Sequence, residues 1–280
     1  MSTVRPTRVR RLSCRKSDLR GSIASRCETG TFTVTFGRYA PEAHIPRHRH
    51  EHASMCIALS GGYEEQLDRS CRRVETGTLV IHPEDEAHAN RHAPRATGLL
   101  TVELNPVALE RVREFSPLFD ESWHRPAVVL LPAAYRILHE IDPIRSADTL
   151  VVDDLLWRMI GEATGCREPE TGRPAWLLLV RDYLDVHFAE GPTLGMLAGM
   201  AGVHQVHLTR SFRKAFGCSV GDFVRQRRAE TALRLLAESE LGLSQISLLA
   251  GFADQSHMTR RVGALTGKPP GTWRQRLYPR

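Results

Sequence analysis

The stretch His44-Ile-Pro-Arg-His-Arg-His-Glu-His52 places four histidines within nine residues. Neutral imidazoles are ligands for zinc, iron, copper or nickel. Two of them can also flank a small acidic or aromatic ligand with no metal at all. The segment therefore poses a choice between a metal centre, with the catalysis such a centre brings, and the wall of a binding pocket. His88 joins the set further along the chain, while His82 and His92 are weaker members. A lone histidine beside a strand is more often satisfied structurally than functional.

The elements that must position these side chains read as short strands. Thr31–Phe36 alternates, Ser54–Leu59 and Thr78–Ile81 are rich in β-formers, and Gly98–Leu104 closes the set. Gly61-Gly62, Asp68 and Gly77 punctuate them as turns. Several short strands at this spacing predict a small antiparallel barrel or sandwich over residues 31–105. After Pro106 the periodicity becomes helical, with Pro106–Phe115, Pro132–His139 and Thr149–Gly165 carrying apolar residues three and four apart. Residues 106–172 read as a helical connector or dimerisation segment. The polar, proline- and glycine-bearing run Arg167–Pro174 is the linker to a helical remainder, residues 173–280.

That last third contains one pattern twice. Leu194-x-x-Leu197-Ala198-x-x-Ala201-Gly202-Val203 returns as Leu243-x-x-Ile246-Ser247-x-x-Ala250-Gly251-Phe252. Each copy continues into a second helix, Leu208-x-Arg210-x-Phe212 ending at Gly217 and Met258-x-Arg260-x-Val262 ending at Gly267. Phe223 and Trp273 follow the closing glycines at equal distance. So many positions matching in order is the signature of a duplication. Leu194, Leu197, Ala198 and Ala201 stripe the first helix, and Leu208, Phe212 and Phe216 bury the second. The opposite face then carries Gln205, Val206, Thr209, Arg210 and Arg213. Its counterpart carries Gln255, His257, Thr259, Arg260 and Arg261, with Asp254 placed to cap that helix. Two short helices joined by a tight glycine turn, the second with an amide- and arginine-rich outer face, describe a helix-turn-helix. The amphipathic stretch Val220–Ala237 sets the spacing of the copies, so both second helices would enter major-groove segments about 34 Å apart.

Charge agrees with this division. Residues 1–30 carry +6 (8 basic, 2 acidic), residues 31–172 carry −7 (15 and 22), and residues 173–280 carry +7 (15 and 8). Only the basic C-terminal third is suited to a polyanion. Residues 1–30 have no apolar core of a secretory signal and read as a disordered basic tail or an overlong gene start, with an arm touching DNA backbone as the alternative. Six scattered cysteines without a Cys-x-x-Cys pair argue against a disulfide framework or structural zinc and fit a reducing cytoplasm. No apolar run is long enough to suggest a membrane span.

Residues from about 176 to 276 resemble the DNA-binding domain of AraC/XylS-family transcriptional regulators. The match rests on Ala198, Leu208-x-Arg210-x-Phe212, Gly217, Arg228, Ala232, Leu235-Leu236, Gly251-Phe252-x-x-Gln255-Ser256 and Gly267-x-Pro269-Pro270-x-x-Trp273-Arg274. His204 stands where the family has a capping serine, Ser247 where it has alanine, and Val262-Gly263 where it has Phe-Lys. The last departure removes a phosphate contact and implies a weaker second unit. The resemblance implies that Gln205, Val206, Thr209 and Arg210 read bases in one groove segment and Gln255, His257, Thr259 and Arg260 in the next. Arginine suits guanine through paired hydrogen bonds, and glutamine suits adenine. Arg213, Lys214 and Arg261 are the expected phosphate contacts, which set affinity and salt dependence rather than sequence preference.

The N-terminal part resembles a cupin barrel through Pro46-Arg-His48-x-His50, Gly61-Gly62-x-Glu64 and Gly77-x5-Pro83-x4-His88. In metal-binding cupins such histidines surround an ion together with a glutamate, but Met55, or Ile57 counted from His52, stands at the glutamate position. The favoured reading is an effector pocket lined by His44, His48, His50 and His88 without a cofactor; a divalent metal on His48, His50 and His88 is the less favoured one. The expected fold class is a multi-domain α+β chain: a cupin-like antiparallel β-barrel, a helical connector and an all-α domain with two helix-turn-helix units. The expected function is a non-enzymatic, cytoplasmic, sequence-specific transcriptional regulator. Its partners would be double-stranded DNA, a small-molecule effector, RNA polymerase and a second copy of itself. The alternative is a metal-dependent cupin enzyme with a helical appendage; the repeat and the missing glutamate both count against it.

Overall fold

The computed structural model describes residues 10–11, 21–144, 147–167 and 173–278, and the chain divides into two compact units with the break at Cys166/Arg167. In the first unit the strands run in order as β1 (Arg10–Arg11), β2 (Gly21–Glu28), β3 (Phe32–Tyr39), β4 (His44–Arg49) and β5 (Ser54–Ser60). They continue as β6 (Gly62–Gln66), β7 (Cys71–Glu75), β8 (Thr78–His82), β9 (Ala87–His92) and β10 (Thr97–Leu104). Then come α1 (Pro106–Arg113), β11 (Trp123–Pro126), α2 (Leu131–Glu140) and α3 (Thr149–Arg167).

The strands form two sheets rather than a closed barrel. One has the order β1-β4-β9-β6-β7 and the other β11-β8-β5-β10-β3-β2, and every pairing is antiparallel except β1 with β4. Side chains from both meet between them: Cys56, Ala58, Val80 and Leu99 from the six-stranded sheet against Tyr63 and Val74 from the other. β5 is buried along its whole length because it is central in its sheet and covered on both faces. On its outer side Tyr135 of α2 is fully buried and donates its hydroxyl to the Leu59 carbonyl.

Two boundaries read from the sequence shift here. The sheet begins at β2, inside the segment assigned to the basic tail; the remainder of that tail, residues 1–9 and 12–20, lies outside the described residues. β2 is an edge strand whose exposed Arg26 and Glu28 pair with each other at 2.7 Å, so the alternation that buries Ser25 and Cys27 is masked by charge. Residues 106–166 are not a free connector, since they belong to the first compact unit. Trp157 packs edge-on against Phe32 at 5.2 Å, Thr31 donates to Asp153 at 2.7 Å, and β11 extends the sheet beside β8. Residues 168–172 of the predicted linker lie outside the described residues.

The second unit is helical: α4 (Ala175–His187), α5 (Leu194–Ala201), α6 (Gln205–Phe216), α7 (Val220–Glu238), α8 (Leu243–Leu249), α9 (Gln255–Thr266) and α10 (Pro270–Leu277). Leu177, Val180 and Leu184 of α4 share a core with Leu197 and Ala198 of α5, Leu208 and Phe212 of α6 and Val220 of α7. Arg227 of α7 clamps α4 through Asp185 at 2.7 Å and holds Glu230 at 2.9 Å, while Arg228 donates to the Phe188 carbonyl. Among the described residues no helix is long and apolar enough to cross a membrane.

Candidate nucleic-acid interface and histidine pocket

Both predicted helix-turn-helix pairs form, as α5–α6 and α8–α9. The turns need left-handed backbone: Gly202 has φ +65° and Gly251 φ +77°, and a Cβ on Gly251 would sit 2.5 Å from the Ala189 backbone. Gly217 and Gly267 end α6 and α9 in the same conformation. His204 does the work of the missing serine, its Nδ1 accepting from the Val206 amide at 3.2 Å, which requires the tautomer that leaves Nδ1 unprotonated. Asp254 caps α9 as expected, accepting from the His257 amide at 2.7 Å. The buried Ser247 is satisfied by donating to the Ser244 carbonyl at 2.7 Å.

Each second helix has one buried and one open face. Leu208 and Phe212 are fully buried on α6, and Met258 and Val262 on α9. On α6, Gln205, Val206, Arg210, Arg213 and Lys214 are exposed; Thr209 is half-buried and spends its hydroxyl on the Val206 carbonyl. On α9, Gln255 and Arg260 are exposed, while His257, Thr259 and Arg261 are half-buried, with the His257 ring edge-on to Phe252 at 5.3 Å. Leu194 is more open than its stripe implied, at 39% exposed. Exposed amide and guanidinium forks on a rigid helix, beside an exposed Val206, are groups that match base edges, phosphates and a thymine methyl.

The histidines divide differently from the sequence reading. His48, His50, His82 and His88 line a cavity of about 50 Å³ between the sheets, together with Cys56, Thr101 and Glu103. His44 does not reach it: it is exposed, because a register shift between Ile45 and His48 interrupts the alternation and turns His48 inward. His82 lies in the cluster, its Nε2 2.8 Å from Glu65 Oε1. His92 is buried outside it and stacks on Tyr39 at 4.3 Å. Glu64, matched to the cupin pattern, is exposed, and its neighbour Glu65 is the inward carboxylate, ion-paired with the buried Arg72. Period-two alternation from the inward Tyr63 was the available signal for Glu65.

Burial and the neighbouring rings hold His48 down to about 4 and push His88 well below the ordinary imidazole range, so both are neutral donors. Burial opposes ionisation of Glu65, but the His82 hydrogen bond and the Arg72 charge outweigh it and keep the carboxyl below its usual range. Burial raises the Cys56 thiol to about 12, so it stays protonated. The donor set suits a divalent transition metal. His48 Nδ1 is held by the Pro46 carbonyl at 3.0 Å and His50 Nδ1 by Glu103 at 3.3 Å, which leaves the Nε2 atom of each ring without those partners. His48, His50 and His88 bring one ligand atom each within 4.8 Å of one another, and so do Glu65, His82 and His88.

Comparison with known proteins places both halves. Residues 197–276 match the family described as a helix-turn-helix domain, and residues 22–108 match the ChrR cupin-like domain. The bifunctional transcriptional activator/DNA repair enzyme AdaA of Bacillus subtilis (strain 168) is 27% identical over 100 residues, 36% of this chain and 47% of that protein. The probable transcription factor PqrA of Proteus vulgaris is 35% identical over 71 residues, 25% of this chain and 58% of that protein. The chain thus spans about half the length of these curated relatives. A crystal structure of unsaturated fatty acid-bound ToxT from Vibrio cholerae strain SCE256 aligns with 89% of this chain and 97% of its own at 10% identity, with a TM-score of 0.39.

Proposed function

We propose that the chain is a sequence-specific DNA-binding transcriptional regulator of the AraC/XylS type controlled by a small effector, a reading supported by a match to a helix-turn-helix domain after a match to a cupin-like domain. The observation that carries the reading is the duplicated helix with an apolar buried seam and an open amide- and arginine-bearing face. In this reading Gln205, Val206, Thr209 and Arg210 read one groove segment and Gln255, His257, Thr259 and Arg260 the next. Arg213, Lys214 and Arg261 hold phosphates, and no residue is catalytic. The half-buried setting of Thr209, Thr259 and His257 makes Arg210 and Arg260 the principal readers.

The pocket between the sheets is the effector site. The cavity of about 50 Å³ admits a ligand of only a few atoms, and the His48 and His88 imidazoles, Thr101 and protonated Cys56 offer hydrogen bonds to a small acidic one. A divalent cation in the donor set would supply a fixed positive charge for an anionic ligand. Ligand occupancy would change how the N-terminal unit presents the basic unit to DNA, to RNA polymerase and to a second copy, in the cytoplasm.

The test is a footprint and competition binding with DNA upstream of the protein's own gene. The expected outcome is protection of two successive major-groove segments on one face, with affinity on the order of a thousandfold or more above random DNA. Equal affinity for random sequence sinks the regulator reading. If residues 173–280 alone bind and regulate as the full chain does, the sensor role fails while DNA binding stands.

A further inference from the structure

Glu65 is the acidic member of the pocket that the histidine run leaves unexplained. Its carboxylate is fully buried, with Oε2 taken by Arg72 and Oε1 2.8 Å from His82 Nε2 and 3.8 Å from His88 Nε2. These atoms come from three strands, β6 and β9 in one sheet and β8 in the other. Two donors about 2.0–2.1 Å from a tetrahedral zinc ion lie roughly 3.3 Å apart, a spacing that the two measured separations bracket.

His88 also belongs to the group with His48 and His50, the set that the cupin resemblance implies, so the pocket holds two overlapping cation seats. Three observations favour the inner one. It contains an anionic ligand, whereas the outer set has imidazoles alone. Its residues are at most 3% exposed, while His50 is half-buried. Arg72 fixes the carboxylate so that Oε1 faces the rings, the office of an outer-sphere partner. The four rings, moreover, stand 4.3–5.4 Å apart, crowding desolvated lone pairs that a cation would relieve.

We propose that Glu65, His82 and His88 form a divalent transition-metal site of the zinc type, and that His48 and His50 line its approach instead of holding the ion. This does not rest on the DNA-binding reading. The test uses the untagged full chain, stripped by chelator and titrated with Co²⁺ and Zn²⁺. One ion per chain is expected, with Glu65→Gln and His82→Gln weakening binding on the order of tenfold or more and His48→Gln and His50→Gln leaving it nearly unchanged. No binding at micromolar metal, or the reverse ranking of variants, overturns the proposal. As a readout needing no variant, X-ray absorption of the Zn²⁺-loaded wild type should show two imidazoles and a carboxylate oxygen; a shell of three imidazoles without carboxylate overturns it equally.

Discussion

The two helix-turn-helix units follow one pattern and are held by different forces. In the first, Phe212, Phe216 and Phe223 form an aromatic trio with ring centroids 4.6, 5.5 and 6.4 Å apart. At the matching positions of the second stand Val262, Thr266 and Trp273; the indole is fully buried and donates to the Thr266 hydroxyl at 2.7 Å. The first turn leaves open space beside Gly202, whereas the second is pressed onto Ala189. Outside, the first exposes Arg213 and Lys214 where the second has Gly263 and Ala264. The second unit therefore relies more on its buried indole, and the first carries more exposed positive charge on its second helix. A duplicated motif can divide affinity and rigidity between its copies while both keep an outward arginine.

The largest test of that division is in the core. Trp273→Ala should cost about 3–5 kcal/mol of stability in urea unfolding, and Phe223→Ala clearly less because Phe223 is only half-buried. Equal losses would remove the contrast. On cognate DNA, Arg210→Ala and Arg260→Ala should each cost about 1–3 kcal/mol with little change on random DNA; a matching loss on random DNA makes that residue a backbone contact.

The caps differ more finely. Asp254→Ala should lower stability by about 1 kcal/mol at neutral pH. His204→Ala should cost less, since its cap is the longer contact at 3.2 Å against 2.7 Å for Asp254 and uses a neutral acceptor; thermal melts of the two variants compare them. The smallest effect is electrostatic. A Cβ on Gly263 meets nothing within 4 Å, so Gly263→Lys is accommodated and should steepen the log affinity–log salt slope by about 0.9 if it gains one phosphate. An unchanged slope means that this position does not face DNA.

How much of the molecule could be read in advance depended on how local the signal was. β3, β5, β8 and β10 were visible as β-branched or alternating runs, and they are the heart of the six-stranded sheet. β7 was not, because Cys-Arg-Arg-Val-Glu turns Arg72 inward beside Val74 and hides its alternation under charge. β4 and β9 were obscured by the histidines themselves, which are polar side chains pointing into the interior. For the same reason His48, His50 and His88 stand out as a set, His44 is grouped with them although it is exposed, His82 ranks only as a weaker member, and Glu65 goes unseen.

The chain alone determined the helical repeat, its glycine turns, the buried seam of Leu208, Phe212, Met258 and Val262, and the exposure of Gln205, Arg210, Gln255 and Arg260. Those features repeat every three or four positions, so neighbours in sequence are neighbours on the helix. The pocket was decided only by tertiary structure. Which imidazoles converge depends on the register of β4 against β9 and on its shift after Ile45. The carboxylate that meets them comes from β6, and its place follows from how that strand pairs with β9 while the opposite sheet brings His82 across the interior.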